Sequence, residues 1–220
     1  MTHPVRSSPP AQTRTGARGR LVPGRASALA TLVTGLVLTT LVTLSPSAFA
    51  AWDLQQLMET LAQNKSGSAT FVETKHIALL DKPLESSGEL LYTAPDRLEK
   101  RTLKPKPESM TVNGGTVLIE RGSQKLHLQL QSYPELAAFI DSIRGTLAGD
   151  RKALERSYRL SLSGSAERWS LQLLPLDEKM QAVIQRIRIS GARDQLNSID
   201  ITQADGDHSL MVIEKLVTPP

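Results

Sequence analysis

Three histidines follow residue 50, at His76, His127 and His208. A catalytic or metal-binding histidine needs a second ligand or base at a defined spacing. None of the three has one, so each reads as a solvated strand residue. The chain has no cysteine, which removes thiolate zinc sites and cysteine nucleophiles. It also lacks a Gly-x-Ser-x-Gly elbow, a His-Glu-x-x-His helix and a glycine-rich phosphate loop. Asp205-Gly206-Asp207 has the start of a calcium loop but not its remaining ligands or terminal Glu, so it reads as a hairpin turn. Glu73, Glu89 and Glu99 could in principle supply a glycosidase carboxylate pair. Nothing in the sequence brings two of them together, and exposed strand carboxylates are the better reading. The expectation is a non-enzymatic protein with no metal and no cofactor. One charged cluster stands out: Arg97, Lys100, Arg101, Lys104 and Lys106. It reads either as a patch for an acidic partner or lipid headgroups, with Arg97, Lys100, Arg101 and Lys104 as its members, or as an edge strand protected from aggregation by charge.

Charge outside that cluster is misleading until the N-terminus is set aside. Residues 1–25 hold Arg6, Arg14, Arg18, Arg20 and Arg25 and no acid. Ala26 to Leu44 carries no charge, and Ala48-Phe49-Ala50 is an Ala-x-Ala site. A basic region, an apolar run and a small-residue cleavage site make residues 1–50 an export signal. An uncleaved anchor is the rival, but threonines dilute the apolar run. The whole chain has 26 Lys+Arg against 22 Asp+Glu. Without the five arginines of the signal, 21 basic residues face 22 acidic ones. The working part, 51–220, therefore offers no basic excess for nucleic acid. Its lack of cysteine suits an oxidising compartment, and its length suits one domain.

The elements that must position these residues are mostly strands. Trp52 to Gln63 has helical apolar spacing, with Asp53 in its first turn. Strand-like segments follow at Ser68–Asp81, Ser87–Thr93, Arg97–Leu103, Glu108–Val112 and Thr116–Arg121; the last two flank an Asn113-Gly114-Gly115 turn. Leu126, Leu128 and Leu130 alternate with polar residues. After Pro134, Leu136, Phe139, Ile140, Ile143 and Leu147 form a helical stripe that Gly145 and Gly149 interrupt or end. Arg151–Arg156 adds a further helical turn, and alternation then returns through residues 158–215. Eleven candidate strands, with one helix before them and a helical insert after the sixth, predict an antiparallel meander that curves into a sheet or barrel.

The segment Gly88-Glu89-Leu90-Leu91-Tyr92-Thr93-Ala94-Pro95-Asp96-Arg97-Leu98 resembles the LolA family of periplasmic lipoprotein carriers. Gly88, Leu90, Pro95 and Leu98 fall at that family's spacing, and Pro105 matches its second proline. Phe71-x-Glu73 is similar to the family's Phe-x-Gln. Val112-Asn113-Gly114-Gly115-Thr116-Val117-Leu118 is similar to its hairpin, and Leu174-Pro175 also fits in order. The resemblance covers nearly all of residues 52–216. It implies a mainly β (α+β) fold: an unclosed antiparallel barrel of about eleven strands, with helices forming a lid over an apolar cavity. It further implies a monomer that carries acyl chains of a lipoprotein or another lipid across the periplasm, between an inner-membrane exporter and an outer-membrane acceptor. Two positions depart from the family. Ala94 stands where an Arg latches the lid, and Lys100 stands where a Trp is usual. Together these departures mark a divergent member.

Alternation and the helix stripe select Phe71, Leu91, Leu98, Leu128, Phe139, Ile143, Trp169, Ile187 and Ile199 as cavity residues. A register slip of one residue would move a strand's set to the other face. The reading from another class is an envelope adaptor that binds protein without lipid.

Overall fold

Asp53 opens the first element by a capping box. Its carboxylate accepts from the Gln56 backbone N–H at 2.8 Å, and its own N–H donates to the Gln56 side chain at 3.2 Å. Helix α1 (Leu54–Leu61) then turns Leu57, Met58 and Leu61 inward. The computed structural model describes residues 52–215. The segment read as an export signal, residues 1–50, lies outside them.

Six strands follow α1: β1 (Ser66–His76), β2 (Leu84–Thr93), β3 (Arg97–Lys104), β4 (Glu108–Asn113), β5 (Thr116–Arg121) and β6 (Gln124–Gln129). A single helical turn at Leu130–Ser132 leads into α2 (Pro134–Leu147) and α3 (Arg151–Ser157). The sheet resumes with β7 (Tyr158–Ser165) and β8 (Arg168–Pro175), then, after α4 (Glu178–Gln181), β9 (Ile184–Ala192), β10 (Gln195–Gln203) and β11 (His208–Lys215). All eleven strands form one sheet in the order β6-β5-β4-β3-β2-β1-β11-β10-β9-β8-β7. It is two antiparallel meanders joined where β1 pairs with β11, as in Phe71 opposite Ile213 and Glu73 opposite Met211. Strands β6 and β7 are the free edges, so the barrel stays unclosed, and α2–α3 is the connection between them.

Period-two alternation decides which residues face inward. On β1 the inner set is Ala69, Phe71 and Glu73, which register with Leu90, Gly88 and Ser86 on β2. Leu90 pairs in turn with Lys100, and Tyr92 with Leu98. On the other half, Ile199, Ile189 and Leu171 lie side by side across β10, β9 and β8. The buried residues form two clusters. The larger joins α1 to β7–β10 through Leu57, Leu61, Trp169, Leu171, Ile187 and Ile189. The smaller joins α2 to β4 and β5 through Ile140, Val112 and Val117. Phe139 packs against both. Helix α2 therefore spans the concave face.

Several local expectations change. β1 ends at His76 rather than near Asp81, because Leu80 N–H turns back to the Ile77 carbonyl at 2.9 Å. Leu130 leaves its strand and bonds to the Gly115 carbonyl at 2.8 Å. α4 has only four residues, too few for a periodic signal, and Asp177 caps it by accepting from Lys179 and Met180 N–H. Gly145 does not interrupt α2. It lets α3 approach, since a Cβ there would lie 2.8 Å from Leu154 Cδ2. Gly149 does end the helical run, with φ +65°, and a Cβ on it would lie 2.0 Å from the Met58 carbonyl of α1.

Candidate functional site

Between the two clusters, beneath α2, lies a cavity of about 310 Å³. Phe139, Ile140, Ile143 and Leu147 of α2 roof it. The opposing wall is largely apolar: Leu90, Leu98, Met110, Ile199, Ile201, Met211 and Ile213. Such a wall follows from a sheet whose two ends curl into separate cores, leaving the middle strands facing the helix without filling the space.

One polar group interrupts this wall. The Glu73 carboxylate accepts from Lys100 Nζ at 2.5 Å and from Ser209 Oγ at 2.8 Å, with Ser86 Oγ at 3.5 Å. Burial pushes the Glu73 carboxyl up, but the bond and charge of Lys100, with Ser209 and Lys75, outweigh it and hold the group below its usual value. Lys100 Nζ also sits 4.8 Å from the Phe71 ring centroid.

Of the residues selected from sequence, Leu98, Phe139, Ile143 and Ile199 line this cavity. Leu91 borders it too, although alternation turns it opposite to Leu90 and Tyr92, towards the face of Ser68 and Glu99. Phe71 is buried under Lys100. Trp169 and Ile187 belong to the larger cluster, where the indole N–H donates to the Arg193 carbonyl at 2.9 Å. Leu128 packs on the smaller cluster.

The basic cluster is not a single patch. Arg97 and Arg101 both pair with Glu99, at 3.3 and 2.6 Å, on one face of β3. Lys100 points to the other face, into the cavity, and Lys104 is exposed at the strand end. Glu73 likewise departs from the expected exposed carboxylate. Sequence reasoning missed Glu73, Tyr92, Lys100 and Ser209 as cavity residues. The available signal was alternation: Glu73 lies two residues after Phe71 and must share its face. His208 meets Asp200 at 3.1 Å and stacks on His76. Among the described residues no group could hold a metal ion, and no helix is long and apolar enough to cross a membrane. Asp205-Gly206-Asp207 forms the β10–β11 turn, with Asp207 Oδ1 accepting from Ala78 N–H at 3.0 Å.

The lid is held although Ala94 replaces the family arginine. Arg144, on α2, donates to the Gly114 carbonyl at 2.7 Å and the Asp96 carbonyl at 3.5 Å, and pairs with Asp141 at 2.5 Å. The guanidinium comes from the helix, and the carbonyls come from the β4–β5 and β2–β3 turns. At the helix's N-terminal half, Tyr158 hydroxyl donates to the Ala138 carbonyl at 3.1 Å.

Fold and site together define an open antiparallel barrel with a helical roof over an apolar cavity. The family described as outer membrane lipoprotein carrier protein LolA-like matches residues 46–214, and the chain belongs to it. Among solved structures it is similar to a LolA superfamily protein from Nitrosomonas europaea: 12% identity, 77% of this chain, 96% of that one, TM-score 0.43. It is also similar to a chain of the Pseudomonas aeruginosa MucA/MucB complex: 18% identity, 76% of this chain, 57% of that one, TM-score 0.43. A lipoprotein-sorting protein domain from Vibrio parahaemolyticus is similar at 8% identity, over 76% of this chain and 92% of that one, TM-score 0.38. No curated protein matches the sequence.

Proposed function

We propose that this chain is an exported, non-enzymatic carrier that holds the acyl chain of a lipoprotein or another lipid and moves it from the inner towards the outer membrane. The observation that carries the reading is the apolar cavity of about 310 Å³ under α2. It falls at the small end of the ~300–1,000 Å³ range of ligand pockets. Transfer of acyl carbon from water contributes about 0.8 kcal/mol per methylene, so a dry, adaptable wall suffices and no covalent step is needed. The signal at residues 1–50 would deliver the protein to the periplasm and be cleaved there. Loading and release require α2 to lift, driven by an inner-membrane donor and an outer-membrane acceptor that bind the two states unequally.

Native mass spectrometry of the mature protein from a periplasmic extract tests this. A co-purifying lipid, and displacement of a fluorescent fatty-acid probe by lipid, is the expected result. A protein that carries no lipid and binds no probe would instead favour the adaptor reading.

A further inference from the structure

An antiparallel meander puts alternate connections at the same end of its sheet. Here β1–β2, β3–β4, β8–β9 and β10–β11 share one end. The large apolar side chains exposed there are Leu79, Leu80, Leu84, Leu103, Leu176 and Val183. At the other end the exposed one among the described residues is Tyr133, and the remainder lie within strands. A single exposed leucine is ordinary, but leucines gathered at one end mark a contact surface.

The β1–β2 connection carries the foremost of them. Leu79 is 94% exposed, with Leu80 at 49% and Leu84 at 51%. The connection is braced. Leu80 N–H turns back to the Ile77 carbonyl at 2.9 Å, and Ala78 N–H donates to Asp207 Oδ1 at 3.0 Å. Asp207 also meets Lys75 at 4.0 Å. The β10–β11 turn thus holds the β1–β2 turn in place, with its leucines outward. Leu103 is set out by a bulge: Ser87 pairs with Lys104 but Gly88 with Thr102, which leaves Leu103 between them as the extra residue. Exposed lysines stand beside these leucines, Lys82 in the first connection and Lys104 and Lys106 after Leu103. The exposed acids of the same two segments are Asp81 and Glu85.

Shape and charge together select the occupant. The leucines protrude on loops instead of lining a groove, so a protein partner would need a pocket cut to fit them. A bilayer interface accepts an apolar protrusion of any shape, and its phosphates suit lysines whose stems lie along apolar surface. We propose that the braced β1–β2 turn, with Leu79 and Leu80 at its tip, docks this protein reversibly on an anionic phospholipid surface. None of Leu79, Leu80, Leu84 and Leu103 lines the cavity. The docking surface therefore goes beyond the carrier reading and does not depend on it.

Flotation of the mature protein with vesicles of phosphatidylethanolamine and phosphatidylglycerol tests this. The protein should rise with these vesicles, and less with phosphatidylcholine alone. Leu79→Ser combined with Leu80→Ser should weaken partitioning by at least about tenfold. The double variant should melt at the wild-type temperature, because both side chains are already exposed. Leu126→Ser, an equally apolar loss on the edge strand β6, should float like wild type. Wild-type protein that does not float, a double variant that floats undiminished, or an equal loss in Leu126→Ser overturns the proposal. Equal flotation with phosphatidylcholine overturns the choice of an anionic surface. A dimer seen by sedimentation and dissolved by the double substitution assigns the turn to a second copy and also overturns the proposal. Cavity lipid found by native mass spectrometry would stand under every one of these outcomes, so the two readings fail separately.

Discussion

At the residue scale, the informative side chain is Glu73. It stands inside an otherwise apolar wall, and its carboxylate is held by Lys100 and Ser209. Glu73→Gln keeps the shape but leaves the Lys100 charge without its partner. At neutral pH this should destabilise the fold by about 2 kcal/mol in urea titrations. The sign with pH is fixed by the lowered folded pKa. The Glu73 contribution is fully present above the unfolded value, near 4.5, and is lost as pH falls through the folded one. The gap between wild type and Glu73→Gln should therefore narrow on acidification. Tyr158 gives the opposite case. Burial, with the Asp141 charge adding to it and a Ser142 hydrogen bond opposing, raises its phenol to about 12. Its contribution is complete below the unfolded value, near 10, and declines as pH rises towards 12. Tyr158→Phe should cost about 1 kcal/mol at neutral pH from the lost bond to Ala138. It should also flatten the alkaline loss of melting temperature.

At the element scale, α2 is the part whose attachment matters. Its position rests on Arg144, Tyr158, and the close approaches at Gly145 and Gly149. Arg144→Met keeps most of the aliphatic stem and removes both turn contacts. Hydrogen exchange should then show α2 amides opening more readily by about 2 kcal/mol, while β8 and β9 stay protected. Gly149→Ala should be worse for global stability, by more than about 2 kcal/mol in melting or denaturant curves. It adds a Cβ at positive φ, directly against the Met58 carbonyl. The helix itself was legible in the sequence, because Leu136, Phe139, Ile140 and Ile143 repeat on one stripe of a fourteen-residue helix. Its anchoring was not. Arg144 reads as an ordinary basic residue near a helix C-terminus, and its carbonyl partners lie 30 and 48 residues away.

At the scale of the whole molecule, the strand count and the open meander were readable because each strand carries its own alternation and each turn its own breaker. The basic cluster offered two readings, a partner patch or a protected edge strand, because five charges within ten residues look contiguous in sequence; β3 in fact lies between β2 and β4 and is not an edge. On a strand, however, neighbours alternate faces, and Lys100 goes inward while Arg97 and Arg101 go outward. Local pattern also leaves the order of strands across the sheet open, and here the decisive pairing is β1 with β11. Removing β11 by truncation after Asp207 should abolish the single melting transition. It takes away Met211 and Ile213 from the cavity wall and Ser209 from Glu73, and separates the two meanders.

That same pairing sets a time order. A chain that emerges from a membrane pore with its N-terminus leading presents β1 more than a hundred residues before β11. The first meander can form as it appears, but β1 keeps an unpaired edge until the last strand arrives to join the halves. Contacts so distant in sequence close late. For a chain exported as proposed, the compartment under α2 would therefore close only once residues 208–215 had emerged, so a half-threaded chain would have no enclosed space in which to trap membrane lipid.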